Sequence, residues 1–213
     1  MKVVITGDGS PTLVNANGDS YKSLHGARCE STYVFIQAGL QCSIQHGGAS
    51  EIFEVGFGTG LNALLTAQYA NENNLKLNYT TIEAFPLADE WKGLDYGDED
   101  LLSKLHQAEW EEPIAIDDNF SIIKREAQLQ TIILPDSRYD VVYYDAFGPR
   151  AQPELWSLEC FQKLFKAMNK AGVLVTYCVK GDVRRNMIAA GFNVERMAGP
   201  PGKRHMLRAI KPL

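Results

Sequence analysis

Strand and helix signals alternate along most of this 213-residue chain, and the alternation predicts an α/β fold with a doubly wound, mostly parallel sheet. Three observations carry that prediction. Short β-branched and aromatic runs are separated by stretches of helical spacing. One run, EIFEVGFGTGLNALL, feeds a glycine-rich loop that opens a helix. Another, VVYYDAFGPRAQPELW, stops on an aspartate, an aromatic and a proline turn. With 45% apolar and 22% charged residues, the chain reads as one domain over 1–213. An N-terminal hairpin and helix extension takes up 1–48, and a ligand-binding core takes up 49–213.

The elements follow in order. KVVITGDGSPTLVNA places two apolar runs around Asp8-Gly9-Ser10-Pro11, a hairpin signal. STYVFIQAGLQ predicts a helix with Ser31 as its cap. Strands are expected at residues 51–55, 77–82, 120–124, 139–144, 172–176, 193–197 and 205–210. Helices are expected from Leu61, from Pro153 and from Asp182, the last ending at Ala190-Gly191. Asp89 to Glu112 holds nine acids against Lys92 and Lys104, together with Trp91 and Trp110, and predicts a helical insertion over the sheet.

No apolar run approaches the roughly 20 residues of a membrane helix. The opening MKVVITGDGS is too short in apolar residues to read as a secretory signal. The four cysteines lack CxxC or zinc spacing and read as free thiols of a cytoplasmic protein, with no metal site. A net charge of −5 conceals a split. From Lys180 onward, eight Lys and Arg face only Asp182 and Glu195. A basic C-terminal face suits a phosphate-bearing partner, although solvated surface charge explains it too.

The glycine loop carries the first chemistry. Gly56, Gly58 and Gly60 lie between a strand and a helix, where backbone N–H groups are free and a ligand can approach closely. Dinucleotide sites space their glycines GxGxxG, and the GxGxG found here disfavours a dehydrogenase. Glu54 beside the loop would repel a pyrophosphate but suits the ammonium and sulfonium of S-adenosylmethionine. Glu83, ending the next strand, can accept both ribose hydroxyls. Phe57 and Asn62 complete the expected donor contacts. Tight strand–helix packing is the alternative reading of the same glycines.

The second chemistry ends the fourth strand of the core. Asp145 can accept hydrogen bonds from an amine, orient it and take its proton directly or through water. Such an amine has a pKa of roughly 10.4 and arrives charged. Phe147 can stack on a base or flank the transferring methyl group, and Pro149 fixes the turn that aims both. Taken singly, Asp and Pro at a strand end are ordinary turn residues.

The segments EVGFGTGLN, YYDAFGPRAQPELW, TYCVKGDVRRNMIAAGF and GPPGKRHML, with GARCESTYVFI near the start, together resemble a known family. It is the methyltransferase family that finishes 5-methylaminomethyl-2-thiouridine at the tRNA wobble position. The resemblance implies a class I methyltransferase fold, Rossmann-like, with seven strands and the last antiparallel. It implies S-adenosylmethionine as donor, 5-aminomethyl-2-thiouridine in the anticodon arm of tRNA as acceptor, and a separate enzyme that supplies the aminomethyl group. The chain's length implies the stand-alone form, without the FAD-dependent oxidase fused in many relatives. By position, Glu54, Gly56, Gly58 and Gly60 match the donor loop, Glu83 the ribose acid, and Asp145, Phe147 and Pro149 the amine motif. Glu126 is the candidate for the adenine side.

Lys180, Arg184 and Arg185, with Lys203 and Arg204 after the GPPG turn, can hold phosphates while a splayed base enters the pocket. Ordinary helix-surface charge is the alternative. Rival functions are methylation of a small-molecule amine, aminopropyl transfer on a similar fold, and a noncatalytic RNA-binding module.

Overall fold

The computed structural model describes residues 1–213. Strands β1 (Lys2–Ile5) and β2 (Pro11–Val14) form a separate antiparallel hairpin, paired Lys2 to Val14 through Ile5 to Pro11. The main sheet is built from β3 (Glu51–Val55), β4 (Leu77–Glu83), β5 (Pro113–Ala115), β6 (Phe120–Glu126), β7 (Tyr139–Tyr144), β8 (Met168–Thr176), β9 (Asn193–Ala198) and β10 (His205–Ile210). Their spatial order is β5-β6-β4-β3-β7-β8-β10-β9. The five strands from β6 to β8 run parallel, and β10 lies antiparallel to both neighbours. The expected seven strands with an antiparallel last strand are present. Short β5, antiparallel to β6, adds an eighth at the edge.

Successive residues of a central strand point to opposite faces, so both faces must be apolar and covered. Ile52, Val141 and Tyr143 join a cluster with Phe35, Leu61 and Leu64. Their neighbours Phe53, Val142 and Tyr144 join another with Trp156, Phe161 and Leu174. The first face lies under a continuous helical stretch: α1 (Ala27–Ser31), a π-helical segment (Thr32–Gln41) and α2 (Cys42–Gln45). Helices α3 (Leu61–Asn73) and α4 (Glu99–Gln107) continue that layer. Helices α5 (Leu158–Ala167) and α6 (Gly181–Ala189) cover the other face, after a 3-10 turn at Pro153–Trp156.

Two expectations change here. Ser31 does not cap a helix: it is buried inside one that begins at Ala27 and makes no side-chain cap bond. The α1 N–H groups are capped instead from the hairpin turn. Ala27 N donates to Thr6 Oγ1 (3.0 Å), Arg28 N to Ser10 Oγ (3.0 Å) and Cys29 N to Asp8 Oδ2 (2.7 Å). Such caps stabilise by about 1 kcal/mol each and tie the hairpin to the helix. The acidic insertion is helical only over Glu99–Gln107, because Gly93 and Gly97 take φ of 86° and 82° and turn the chain before it. Asp98 caps that helix, accepting from Leu101 N at 3.1 Å. Trp91, Leu94, Tyr96, Leu102 and Leu105 nevertheless join the core, so the segment covers the sheet as expected. No helix is long and apolar enough to cross a membrane.

Candidate active site

Two loops leave the C-terminal ends of adjacent parallel strands, β3 and β7, and each is held to the end of a neighbouring strand, the crevice position where open α/β sheets bind ligands. Gly56 N and Phe57 N donate to Ile82 O at the end of β4 (3.0 and 3.3 Å), and Asp145 N donates to Val55 O at the end of β3 (3.1 Å). Gly56 has φ 95°, and a Cβ there would sit 3.0 Å from Asp145 O, so only glycine fits both loops. Glu83 closes the glycine loop from the next strand. Its Oε2 accepts from Gly58 N (3.0 Å) and its Oε1 from Phe85 N (3.0 Å), while burial raises its carboxyl pKa.

After Asp145 the chain is held by side chains from the same motif and by Tyr177 after β8. Pro149 occupies the second position of a turn in which Ala151 N donates to Gly148 O (2.8 Å), a position suited to its fixed φ. Gln152 Oε1 accepts from Phe147 N (3.2 Å), Trp156 Nε1 donates to Phe147 O (2.9 Å) and Tyr177 OH donates to Ala146 O (2.8 Å). Gln152, Trp156 and Tyr177 thus fix the backbone that carries Asp145 and Phe147.

A charged network lies beneath. Asp145 Oδ2 accepts from the Lys22 ammonium and from Asn62 Nδ2 (2.8 Å). The same Asn62 nitrogen donates to Glu54 Oε1 (2.9 Å), whose Oε2 accepts from Thr81 Oγ1 (2.9 Å). Glu54 is 1% exposed, and burial raises its pKa to about 8 despite the attraction of Lys22. Burial also raises the Asp145 carboxyl, with Lys22 pulling the other way. One cation therefore serves two buried carboxyl groups.

Above these loops lies a cavity of about 790 Å³. Gly56, Phe57, Gly58, Glu83, Asp145, Phe147 and Lys203 all border it, so it unites the glycine loop, the acid ending β4 and the residues that follow β7. Glu54, Gly60 and Asn62 do not border it. Glu54 and Asn62 support Asp145 from below, and Gly60 caps α3 where a Cβ would come within 2.9 Å of His106. Glu126 is exposed at the end of β6, outside the lining, although the following Ala127 and Gln128 belong to it. Pro149 also lies outside the lining. Lys180, Arg184, Arg185 and Arg204 lie away from the cavity, and Arg185 pairs with Asp182. Lys203 turns inward: its ammonium pairs with buried Glu30 and lies 4.3 Å from the Tyr177 ring centroid.

The N-terminal region supplies the residues that sequence reasoning missed. Tyr21 and Lys22 border the cavity, as does Glu30 from α1. Tyr21 lies edge-on to Phe147, ring centroids 5.0 Å apart, and covers Gly58, where a Cβ would meet its Cδ1 at 3.1 Å. The extension over 1–48 is thus a wall of the site.

The S-adenosyl-L-methionine-dependent methyltransferase family model matches residues 101–212. The tRNA 5-methylaminomethyl-2-thiouridine biosynthesis bifunctional protein MnmC of Aromatoleum aromaticum is 32% identical, covering 97% of this chain and 35% of that protein. Its counterpart from Aeromonas hydrophila is 31% identical over 89% of this chain and 32% of that protein. The chain spans about a third of the length of these curated relatives. Among solved structures, MNMC2 from Aquifex aeolicus is similar with a TM-score of 0.83 and 24% identity, covering 100% of this chain and 72% of that one. Spermidine synthase from Thermotoga maritima gives 0.57 and 11%, covering 95% and 68%. The fold is shared with both, and since the family model takes in more than half of the residues, the chain belongs to the S-adenosyl-L-methionine-dependent methyltransferase family.

Proposed function

We propose that this chain methylates the aminomethyl nitrogen of 5-aminomethyl-2-thiouridine at the wobble position of tRNA. The observation that carries the reading is the meeting of Asp145, Phe147, the glycine loop and Glu83 on one cavity. The relatives' role in 5-methylaminomethyl-2-thiouridine biosynthesis supports the choice of acceptor. Residues 1–213 act as one unit in this reading, in the cytoplasm, on tRNA whose aminomethyl group a separate activity has supplied.

The residues fit the donor. Gly56 and Gly58 border the cavity in backbone conformations that L side chains rarely adopt, φ 95° and 50°, and the Glu83 carboxylate borders it where ribose hydroxyls would lie. When bound, S-adenosylmethionine supplies an electrophilic methyl: a new N–C bond forms from the amine lone pair while the C–S bond breaks and its pair stays on sulfur. Asp145 receives the incoming ammonium, replaces its lost hydration and accepts the proton that must leave before the lone pair is free, directly or through water. Phe147 and Tyr21 wall that position with aromatic rings and limit water access. The product leaves as a secondary ammonium. Exposed Lys180, Arg185 and Arg204, with half-buried Arg184, supply phosphate contacts for the tRNA.

The test is transfer of labelled methyl from S-adenosylmethionine into tRNA bearing 5-aminomethyl-2-thiouridine, followed by nucleoside analysis. Label in 5-methylaminomethyl-2-thiouridine is the expected result. Donor binding without transfer to this nucleoside would direct the search to small amines.

A further inference from the structure

Lys22 belongs to no motif, yet it is only 6% exposed and lies in the wall of the cavity. Its backbone is registered on the hairpin, with Lys22 N donating to Thr12 Oγ1 at 3.0 Å and Tyr21 N to Leu13 O at 2.9 Å. Its side chain crosses to the end of β7, passes the Phe35 ring at 5.3 Å and pairs with Asp145 Oδ2. Asn62 donates to that same oxygen. Both partners of the carboxylate therefore bind Oδ2, and Oδ1 is the oxygen left for a ligand.

We propose that Lys22 is a positioning residue for methyl transfer, whose ammonium holds Asp145 as a carboxylate by Oδ2 and so presents Oδ1 to the substrate amine. The inference rests on the reading of Asp145 as the amine acceptor. An amine brought to a neutral carboxylic acid would meet a hydrogen-bond donor where it needs an acceptor. The groups around Asp145 make this a real risk. Glu54 faces it through Asn62, Glu30 faces it from α1, and Tyr79 and Tyr177 flank it from the sheet. None of these is a cation, so the positive charge beside the carboxylate is that of Lys22. Lys203, the other lysine on the cavity, is committed to Glu30.

The experiment compares wild type with Lys22→Met, which keeps the length and apolar stem of the side chain, and with Lys22→Arg, which keeps the charge. The first readout needs no turnover: the carboxyl infrared band of chains labelled with 13C-aspartate, assigned with Asp145→Asn. Lys22→Met is expected to move the Asp145 titration to higher pH, and Lys22→Arg to leave it near wild type. The second readout is kinetic: kcat for Lys22→Met falls about 10²-fold at pH 7 and its acid limb moves up by as much as the band, with donor affinity kept. An unmoved Asp145 band, or a loss confined to donor affinity, overturns the proposal. Should Lys22→Met fail to fold, an Asp145 band in Lys22→Arg that titrates as high as an unpaired buried carboxyl overturns it equally. If wild type does not methylate the nucleoside while the band still separates the variants, the acceptor assignment fails and the role of Lys22 toward Asp145 stands.

Discussion

Asn62 has one amide nitrogen with two hydrogens, and both are committed to carboxyl groups, one to Glu54 and one to Asp145. That bridge sets the charges of the site. With burial holding Glu54 protonated to about pH 8, the folded chain keeps a proton that the unfolded chain releases above its ordinary 4.5. The folded pKa is the higher one, so this contribution to stability is complete below about pH 4.5 and is lost as pH rises through about 8. Denaturant titrations between about pH 5 and 8 should therefore show wild type losing stability relative to Glu54→Gln. Parallel curves would mean that Glu54 is ionised in the fold. Asp145→Asn should lower methyl transfer about 10²-fold or more while leaving donor affinity within a few-fold, because the glycine loop and Glu83 are untouched. Calorimetry with S-adenosylmethionine and a transfer assay on the same preparation separate the two effects. An equal loss of donor binding would make Asp145 a donor ligand.

Among the elements, the hairpin turn and α1 depend on each other. Asp8 accepts from Ser10 N (3.0 Å) within its own turn and from Cys29 N (2.7 Å) across to the helix. Asp8→Ala should cost about 1–2 kcal/mol in denaturant unfolding, and it should weaken donor binding because Glu30 follows directly on the loosened turn. Unchanged stability would mean that Thr6 and Ser10 suffice as caps. This dependence also explains what could be read from the chain. Strands β3, β7 and β10 were legible to the residue, being apolar runs closed by glycine, aspartate or lysine. Strand β8 begins four residues earlier than expected, because Ala171 at φ 59° sits at an irregularity in the β7–β8 ladder that no side-chain pattern announces. The π-helical stretch was likewise invisible, since its hydrogen bonds shift by one residue without changing which side chains are apolar. Ser31 was misread because a cap was sought in the adjacent sequence, and the caps come from about twenty residues away.

Across the whole molecule, the candidate site divides by how its residues reach the cavity. Gly56, Gly58, Glu83, Asp145 and Phe147 stand at the ends of parallel strands, where topology alone brings them together. Lys22, Glu30 and Tyr177 arrive by tertiary contact, and neither spacing nor composition points to them. Lys203 was legible as a cation but not as an inward one. The remaining basic residues lie outside the cavity, on a chain whose acids gather in its first 179 residues. Arg184→Ala combined with Arg185→Ala should weaken tRNA binding and flatten its dependence on salt by up to about two contacts' worth. The loss from Arg185 will be the smaller, since it already pairs with Asp182. Filter binding across a salt series measures the slope, and an unchanged slope returns both arginines to ordinary surface charge.

The two lysine–carboxylate pairs of the cavity also bear on how the protein is made. Lys22 meets Asp145 across 123 positions and Glu30 meets Lys203 across 173. Translation delivers the wall long before the floor, and the last of the four partners emerges only after β9. A nascent chain paused before that point carries its glycine loop and Glu83 but not the enclosed pocket. Capture of S-adenosylmethionine in the enclosed pocket is thus expected only after Lys203 has emerged, and the ligand then locks residues far apart in the sequence onto one another.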